Sequence, residues 1–246
     1  MADRTIIAWT ERTWNPWRGC TKISPGCAHC YMFTAQERLG WDPTVVTRTK
    51  KWNEPLKWER EAAAAGRTIN VFTCSWSDWF HEDADGWRAE AWDLVRRCPH
   101  LHFQILTKRH ERIVANLPAN WRDGWPNVWL GVSIENDRHV HRADTLRTIP
   151  AAVRFISAEP LLGPLPSLQL HGIDWLIVGG ESGPGFRPMA LAWARALRLR
   201  AAEAGVAFFF KQSAAPRTEM GIALDGAIVR EYPTPRLLPA PAGDLF

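Results

Sequence analysis

Three cysteines carry the strongest chemical commitment in the chain: Cys20, Cys27 and Cys30, spaced C-x6-C-x2-C within the stretch from Trp14 to Tyr31. Three thiolates on one loop are soft ligands, and they suit an iron–sulfur cluster or zinc better than a hard cation. Gly19, Pro25 and Gly26 let the backbone turn tightly enough to bring the sulfurs together. A disulfide would use two of them and orphan the third. His29 supplies the fourth ligand of an alternative zinc set with the same cysteines. Its place between Cys27 and Cys30 makes ligation beside both awkward, so a hydrogen bond from outside the metal is its expected role. Cys74, at a strand end, and Cys98, before Pro99 at a helix end, read as ordinary half-buried thiols.

A second group of reactive side chains follows a series of apolar, β-rich runs at residues 69–73, 102–106, 128–132, 153–156, 175–178 and 206–210. Asp78 closes the segment after the first run, Lys108 and Arg109 follow the second, and Glu135 comes after Ser133 in the third. Glu159, then Gly179-Gly180-Glu181, then Lys211 follow the rest. Amphipathic segments at 86–97, 109–115, 137–148 and 191–204 separate the runs, which is the rhythm of βα units. With a short strand leading into Cys20 and a helix after Cys30, seven strands are expected. The predicted fold is α/β, a parallel βα barrel or partial barrel of TIM-like type. The C-terminal strand ends of such barrels form the active face, so these polar groups should converge on one pocket with the cysteine loop above it. Helix capping accounts for Asn136 and Ser182 but not for Lys108, Glu159, Glu181 and Lys211 together. The glycines of 179–185 suit either close backbone approach to a ligand or a tight turn.

At 246 residues the chain can bury one sizeable core. The barrel is expected over 1–212. A small C-terminal appendage over 213–246 should contain a hairpin turning at Asp225-Gly226 and a tail with Pro233, Pro235, Pro239 and Pro241. A net charge of +4 and a pI near 8.9 permit a polyanionic partner without requiring one. Most of the fifteen tryptophans should be core. Trp52 and Trp58 alternate with cations and are candidates for stacking on bases. With no secretory signal and no long apolar run, the expected location is the cytoplasm, with reduced cysteines.

The chain resembles an uncharacterised three-cysteine-motif family common in phages and prophages and regarded as radical-SAM-like. The resemblance rests on Thr13-Trp14-Asn15-Pro16 with the three cysteines, Ser77-Asp78 with Phe80-His81, Leu106-Thr107-Lys108-Arg109, and Trp129 to Ser133 with Glu135-Asn136. Ser157-Ala158-Glu159-Pro160-Leu161-Leu162, Gly179 to Gly183 and Phe209-Phe210-Lys211-Gln212 complete it. It implies that Cys20, Cys27 and Cys30 hold a 4Fe-4S cluster whose remaining iron takes S-adenosylmethionine. One-electron cleavage of a carbon–sulfur bond then generates a deoxyadenosyl radical. It also implies Asp78, Lys108, Glu135 and Glu159 as catalytic residues, and Arg109, Ser133, Gly179, Gly180, Glu181 and Lys211 as cofactor-binding residues. The commonest radical-SAM spacing is C-x3-C-x2-C, so the first gap is longer here.

The functional expectation is therefore an iron–sulfur enzyme acting on a nucleic acid or nucleotide and served by an electron donor. The alternatives are a nucleic-acid-binding module with structural zinc, and a metal-independent hydrolase using Asp78, Glu135 and Glu159 as acid and base. His81, close after Asp78, is the histidine expected nearest the mouth.

Overall fold

The computed structural model describes residues 5–238. Seven strands form one parallel sheet: β1 (Arg12–Trp14), β4 (Ile69–Thr73), β5 (Leu101–Thr107), β6 (Val128–Ser133), β7 (Val153–Ala158), β8 (Trp175–Gly179) and β9 (Ala207–Gln212). The spatial order is the sequence order, and β1 does not pair with β9, so the sheet curls into a half-barrel that stays open on one side. The short pair β2 (Trp17–Arg18) and β3 (Thr47–Arg48) is antiparallel and separate. Continuous apolar runs such as β6 and β8 are buried at every residue, as strands covered on both faces must be.

Helices α1 (Tyr31–Arg38), α2 (Glu54–Ala64), α3 (Asp85–Arg96), α4 (His141–Arg147) and α5 (Leu191–Glu203) flank the sheet. The faces of α2 to α5 that carry Trp58, Trp92, Leu146 and Leu197 share one core with alternate strand residues such as Phe103, Leu130, Ile156 and Phe210. Between β7 and β8 no helix forms, and Leu161, Leu165, Leu168 and Leu170 fill that position instead. The helix expected at 109–115 is two 3-10 turns, His110–Arg112 and Val114–Asn116. Pro118 holds Leu117 in extended backbone, which ends the helical stretch at Asn116.

The other residues of the same strands face the concave side. On that side Phe72, Trp129, Phe155, Trp175 and Phe209, joined by Trp9, pack into a second aromatic cluster, the floor of the half-barrel. Trp175 meets Trp9, Trp129, Phe155 and Phe209 at ring-centroid distances of 5.9–6.1 Å. Gly131 makes room for Phe155, since a Cβ there would lie 2.4 Å from its ring. Burying each of these rings contributes on the order of 1.5–3 kcal/mol.

The expected hairpin is reduced to a turn at Asp225-Gly226, closed by two hydrogen bonds between Leu224 and Ala227. The chain after it covers the exposed edge of β9, with Phe210 N–H bonded to Val229 O and Glu231 N–H to Phe208 O. Pro239 and Pro241 lie outside the described residues.

Candidate functional site

The cysteine loop is fastened to the rim of the half-barrel by its flanking indoles. Trp14 Nε1 donates to Trp52 O at 3.2 Å and Trp17 Nε1 to Asp78 O at 3.1 Å. The Trp52 ring packs against both of these indoles at 6.3 Å. Both Trp52 and Trp58 are core residues, 5% and 3% exposed, so neither can stack on a base. The neighbouring cations cover their outer faces, Arg48 over Trp52 at 3.7 Å and Arg12 over Trp58 at 5.8 Å.

From that anchor the loop crosses the C-terminal strand ends, and most of the polar strand-end groups meet it. Asp78 is buried and fully engaged: it accepts from Phe80 N–H, Thr107 Oγ1 and Lys108 N–H at 2.9, 2.7 and 3.0 Å. Arg109, also buried, pairs with Asp78 at 3.5 Å and reaches across to the Thr21 hydroxyl at 2.6 Å and the Cys20 sulfur at 3.7 Å. His81 is wholly buried beside it. Its Nδ1 accepts from Asp83 N–H and its Nε2 faces Thr21 Oγ1 at 3.2 Å. Burial and the Arg109 charge hold its pKa below the usual value, so the ring is neutral and donates through Nε2.

Glu135 clasps the middle of the loop. It accepts from Gly26 N–H at 3.2 Å and from Arg142 at 2.9 Å. Burial pushes its carboxyl up, but the Lys108 ammonium, the Ser24 hydroxyl, Arg142 and His139 outweigh it and keep the group ionised. Glu181 makes the second clasp from the far side of the mouth. It meets His29 Nδ1 at 2.9 Å and takes three hydrogen bonds from Arg187, whose other arm donates to Pro25 O. Here too burial acts upward, and the Arg187 and His29 bonds win, leaving the carboxyl below its usual range.

Glu159 and Lys211 pair with each other on the concave face, beside Gly179. Ser133 is buried and its carbonyl takes a hydrogen bond from Arg142 at 2.7 Å. A Cβ on Gly180 would strike the Ala214 backbone at 2.2 Å, so its first duty is packing against the chain that leaves β9. Lys108 is different: its ammonium makes no ion pair or hydrogen bond among the described residues, while its charge acts on Cys30, Glu135 and His139. It is the uncommitted cation of the mouth.

All five cysteines are free, and Cys20, Cys27 and Cys30 are each partly exposed. Cys20 bonds the carbonyl of Thr21 at 3.5 Å, and Cys27 faces the Ser24 hydroxyl at 3.7 Å. Burial, with the Asp78 charge adding and Arg109 opposing, pushes the Cys20 thiol up to about 12. Burial likewise raises Cys30, against the Met32 amide, Lys108 and Lys22. Among the described residues no three Cys, His, Asp or Glu side chains stand in a metal-coordinating arrangement. The donor set nonetheless fits a thiophilic metal by its chemistry: three unbridged thiols on one loop, ringed by Lys22, Lys108 and Arg109, with burial favouring the protonated form of Cys20 and Cys30. Metal entry there must displace protons.

Arg142 and Arg187, which tie the two clasps, were not singled out from the sequence. Arg142 leaves a signal, a cation at a core-facing position of α4 beside buried Ala143 and one turn before buried Leu146. Arg187 leaves none.

Fold and site together define a parallel half-barrel whose open C-terminal mouth is bridged by a three-cysteine loop. Residues 4–233 match the family described as "Protein of unknown function (DUF5131)", and the chain belongs to that family. Comparison with curated proteins and with solved structures gives no match. No helix among the described residues is long and apolar enough to cross a membrane.

Proposed function

We propose that this protein is an iron–sulfur enzyme of radical S-adenosylmethionine type acting on a nucleic acid or nucleotide, with Cys20, Cys27 and Cys30 as the protein ligands of a 4Fe-4S cluster. One observation carries the reading: three free thiols stand on a loop laid over the open mouth of a parallel half-barrel, beside a cation, Lys108, that has no partner among the described residues. A cluster with S-adenosylmethionine supplies one-electron reductive cleavage of a carbon–sulfur bond. The chain's own residues would do the rest. Glu135 and Glu181 hold the loop by its Gly26 and His29 ends, Arg109 holds its Cys20 end, and Lys108 is placed to receive a carboxylate or phosphate. The aromatic floor excludes water from beneath.

Structural zinc is the second reading, favoured by the Glu181–His29 contact, in which a carboxylate on Nδ1 leaves Nε2 available to a metal. The carboxylate-only hydrolase has less support, because Asp78 and Glu135 are occupied by local donors and Glu159 is paired with Lys211. Anaerobic reconstitution with iron and sulfide, followed by S-adenosylmethionine and dithionite, tests the proposal. Release of methionine and 5′-deoxyadenosine is expected, and a reconstituted protein that leaves S-adenosylmethionine intact contradicts it.

A further inference from the structure

We infer that the surface beside the cysteine loop is a docking track for single-stranded nucleic acid, built from Tyr31, Trp76 and Trp41 with the guanidinium of Arg18. This surface rests on the reading of a nucleic-acid substrate and specifies how such a substrate would reach the mouth. Tyr31 and Trp41 are the two large aromatics left most open to solvent in this part of the chain, 52% and 39% exposed. They bracket α1, Tyr31 at its first residue and Trp41 just past its end. Both touch the same short turn: the Tyr31 hydroxyl donates to Ser75 O at 2.9 Å, and the Trp41 ring packs edge-on to Trp76 at 6.2 Å. Gln36 and Gly19 bind the Trp76 carbonyl from either side, so the turn is rigidly placed. The three aromatics therefore lie along one surface.

The inner end of that track is the mouth. Tyr31 follows Cys30 directly; its hydroxyl is held by Ser75 O while the side chain remains exposed. At the outer end the Arg18 guanidinium lies 3.6 Å from the Trp41 ring centroid, and it makes no ion pair among the described residues. A guanidinium stacked on an indole offers a flat cationic face, the surface on which a base stacks while its phosphate is neutralised nearby.

Charge agrees with this occupant. Residues 18–51 hold six cations (Arg18, Lys22, Arg38, Arg48, Lys50 and Lys51) against Glu37 and Asp42, a surplus of four that equals the surplus of the whole chain. Arg48 and Lys51 are paired with Glu90 and Glu54, whereas Arg18, Arg38 and Lys50 make no ion pair among the described residues. Exposed aromatics interleaved with unpaired cations match a polyanion that carries flat bases. A purely acidic protein partner would use the cations and leave the rings idle.

The test is fluorescence anisotropy of a labelled single-stranded oligothymidine of about 12 nucleotides with the full chain at roughly 0.1 M salt. Wild-type protein should bind, and Tyr31→Ala and Trp41→Ala should each weaken binding about tenfold. Tyr31→Phe and Trp41→Phe, which keep a ring, should restore most of it. Arg18→Gln should flatten the salt dependence. Leu199→Ala, on the exposed face of α5, should change nothing. No binding by the wild type, equal binding by the alanine variants, or displacement of the oligonucleotide by polyglutamate as effectively as by unlabelled oligonucleotide would each overturn the proposal, the last in favour of an acidic protein partner. Iron content measured on the same variants separates the two readings. Ring-dependent binding by a chain that takes up no iron retains the track and removes the cluster, and an iron-loaded chain indifferent to the rings does the reverse.

Discussion

The floor and the mouth of the half-barrel lie on the same concave face of the same strands, a few residues apart, and are built on opposite principles. The floor is a closed set of rings, Trp9, Phe72, Trp129, Phe155, Trp175 and Phe209, that satisfy one another by packing. The mouth is a set of charges, Asp78–Arg109, Glu135–Arg142, Glu181–Arg187 and Glu159–Lys211, that satisfy one another by pairing. Hydrophobic burial is non-directional and accumulates with area, whereas each buried ion is stable only while its partner is in place. The floor therefore supplies stability, and the mouth spends its pairs on holding one loop in position. That separation allows a reactive loop to be carried without weakening the fold.

The largest expected contrast comes from one substitution in each region. Trp175→Ala should cost about 3–5 kcal/mol in urea unfolding. Cys27→Ala should change the stability of the metal-free chain by less than about 1 kcal/mol while abolishing metal uptake. Equal destabilisation by both would erase the distinction between floor and mouth.

A finer contrast separates the two clasps. Glu135→Gln leaves buried Arg142 without its countercharge and should cost about 1–3 kcal/mol. Glu181→Gln, whose partners Arg187 and His29 are partly exposed, should cost under about 1 kcal/mol. In both variants protease cleavage within 21–30 should quicken. A loop equally resistant in either variant would show that it is held by its indole anchors alone.

How much of this contrast was readable in advance follows from the range of the interactions. Parallel strands buried on both faces write themselves as unbroken apolar runs, so seven strands and their order were legible. The same continuity hides which residues face the helices and which the floor, because Leu176 and Trp175 look equally apolar. Strand-end charges were visible as candidates, but their partners were not: Gly26 and Glu135 are 109 residues apart, and His29 and Glu181 are 152 apart. Local pattern misled twice. Tryptophans alternating with cations suggested base stacking at Trp52 and Trp58, when the cations were covering buried indoles from outside. The amphipathic stretch at 109–115 suggested one helix, where the chain makes two 3-10 turns that stop before Pro118.

The smallest effect is acid lability, which should begin at the mouth. Neutral His81, buried, and His139, half-buried, have lowered pKa values, so the unfolded chain binds protons first. Their contribution is complete above the ordinary histidine value of 6.5 and declines as pH falls below it. Glu135 and Glu181, also lowered, contribute above 4.5 and are lost as pH falls further. Beside the floor, His102, stacked on Trp129, is lowered by burial as well. Hydrogen exchange at falling pH should therefore release the Gly26 amide before those of β8; simultaneous release would contradict a separately held loop.

The central claim, that the loop over the mouth holds an iron–sulfur cluster, is tested most directly by the iron, sulfide and zinc content of protein purified without oxygen, with its visible absorption followed before and after dithionite. A brown protein with about four irons and four sulfides per chain, bleached on reduction and colourless as Cys27→Ala, is the predicted result. A colourless wild-type protein carrying a single zinc ion would contradict the claim and leave the three cysteines as a structural metal site.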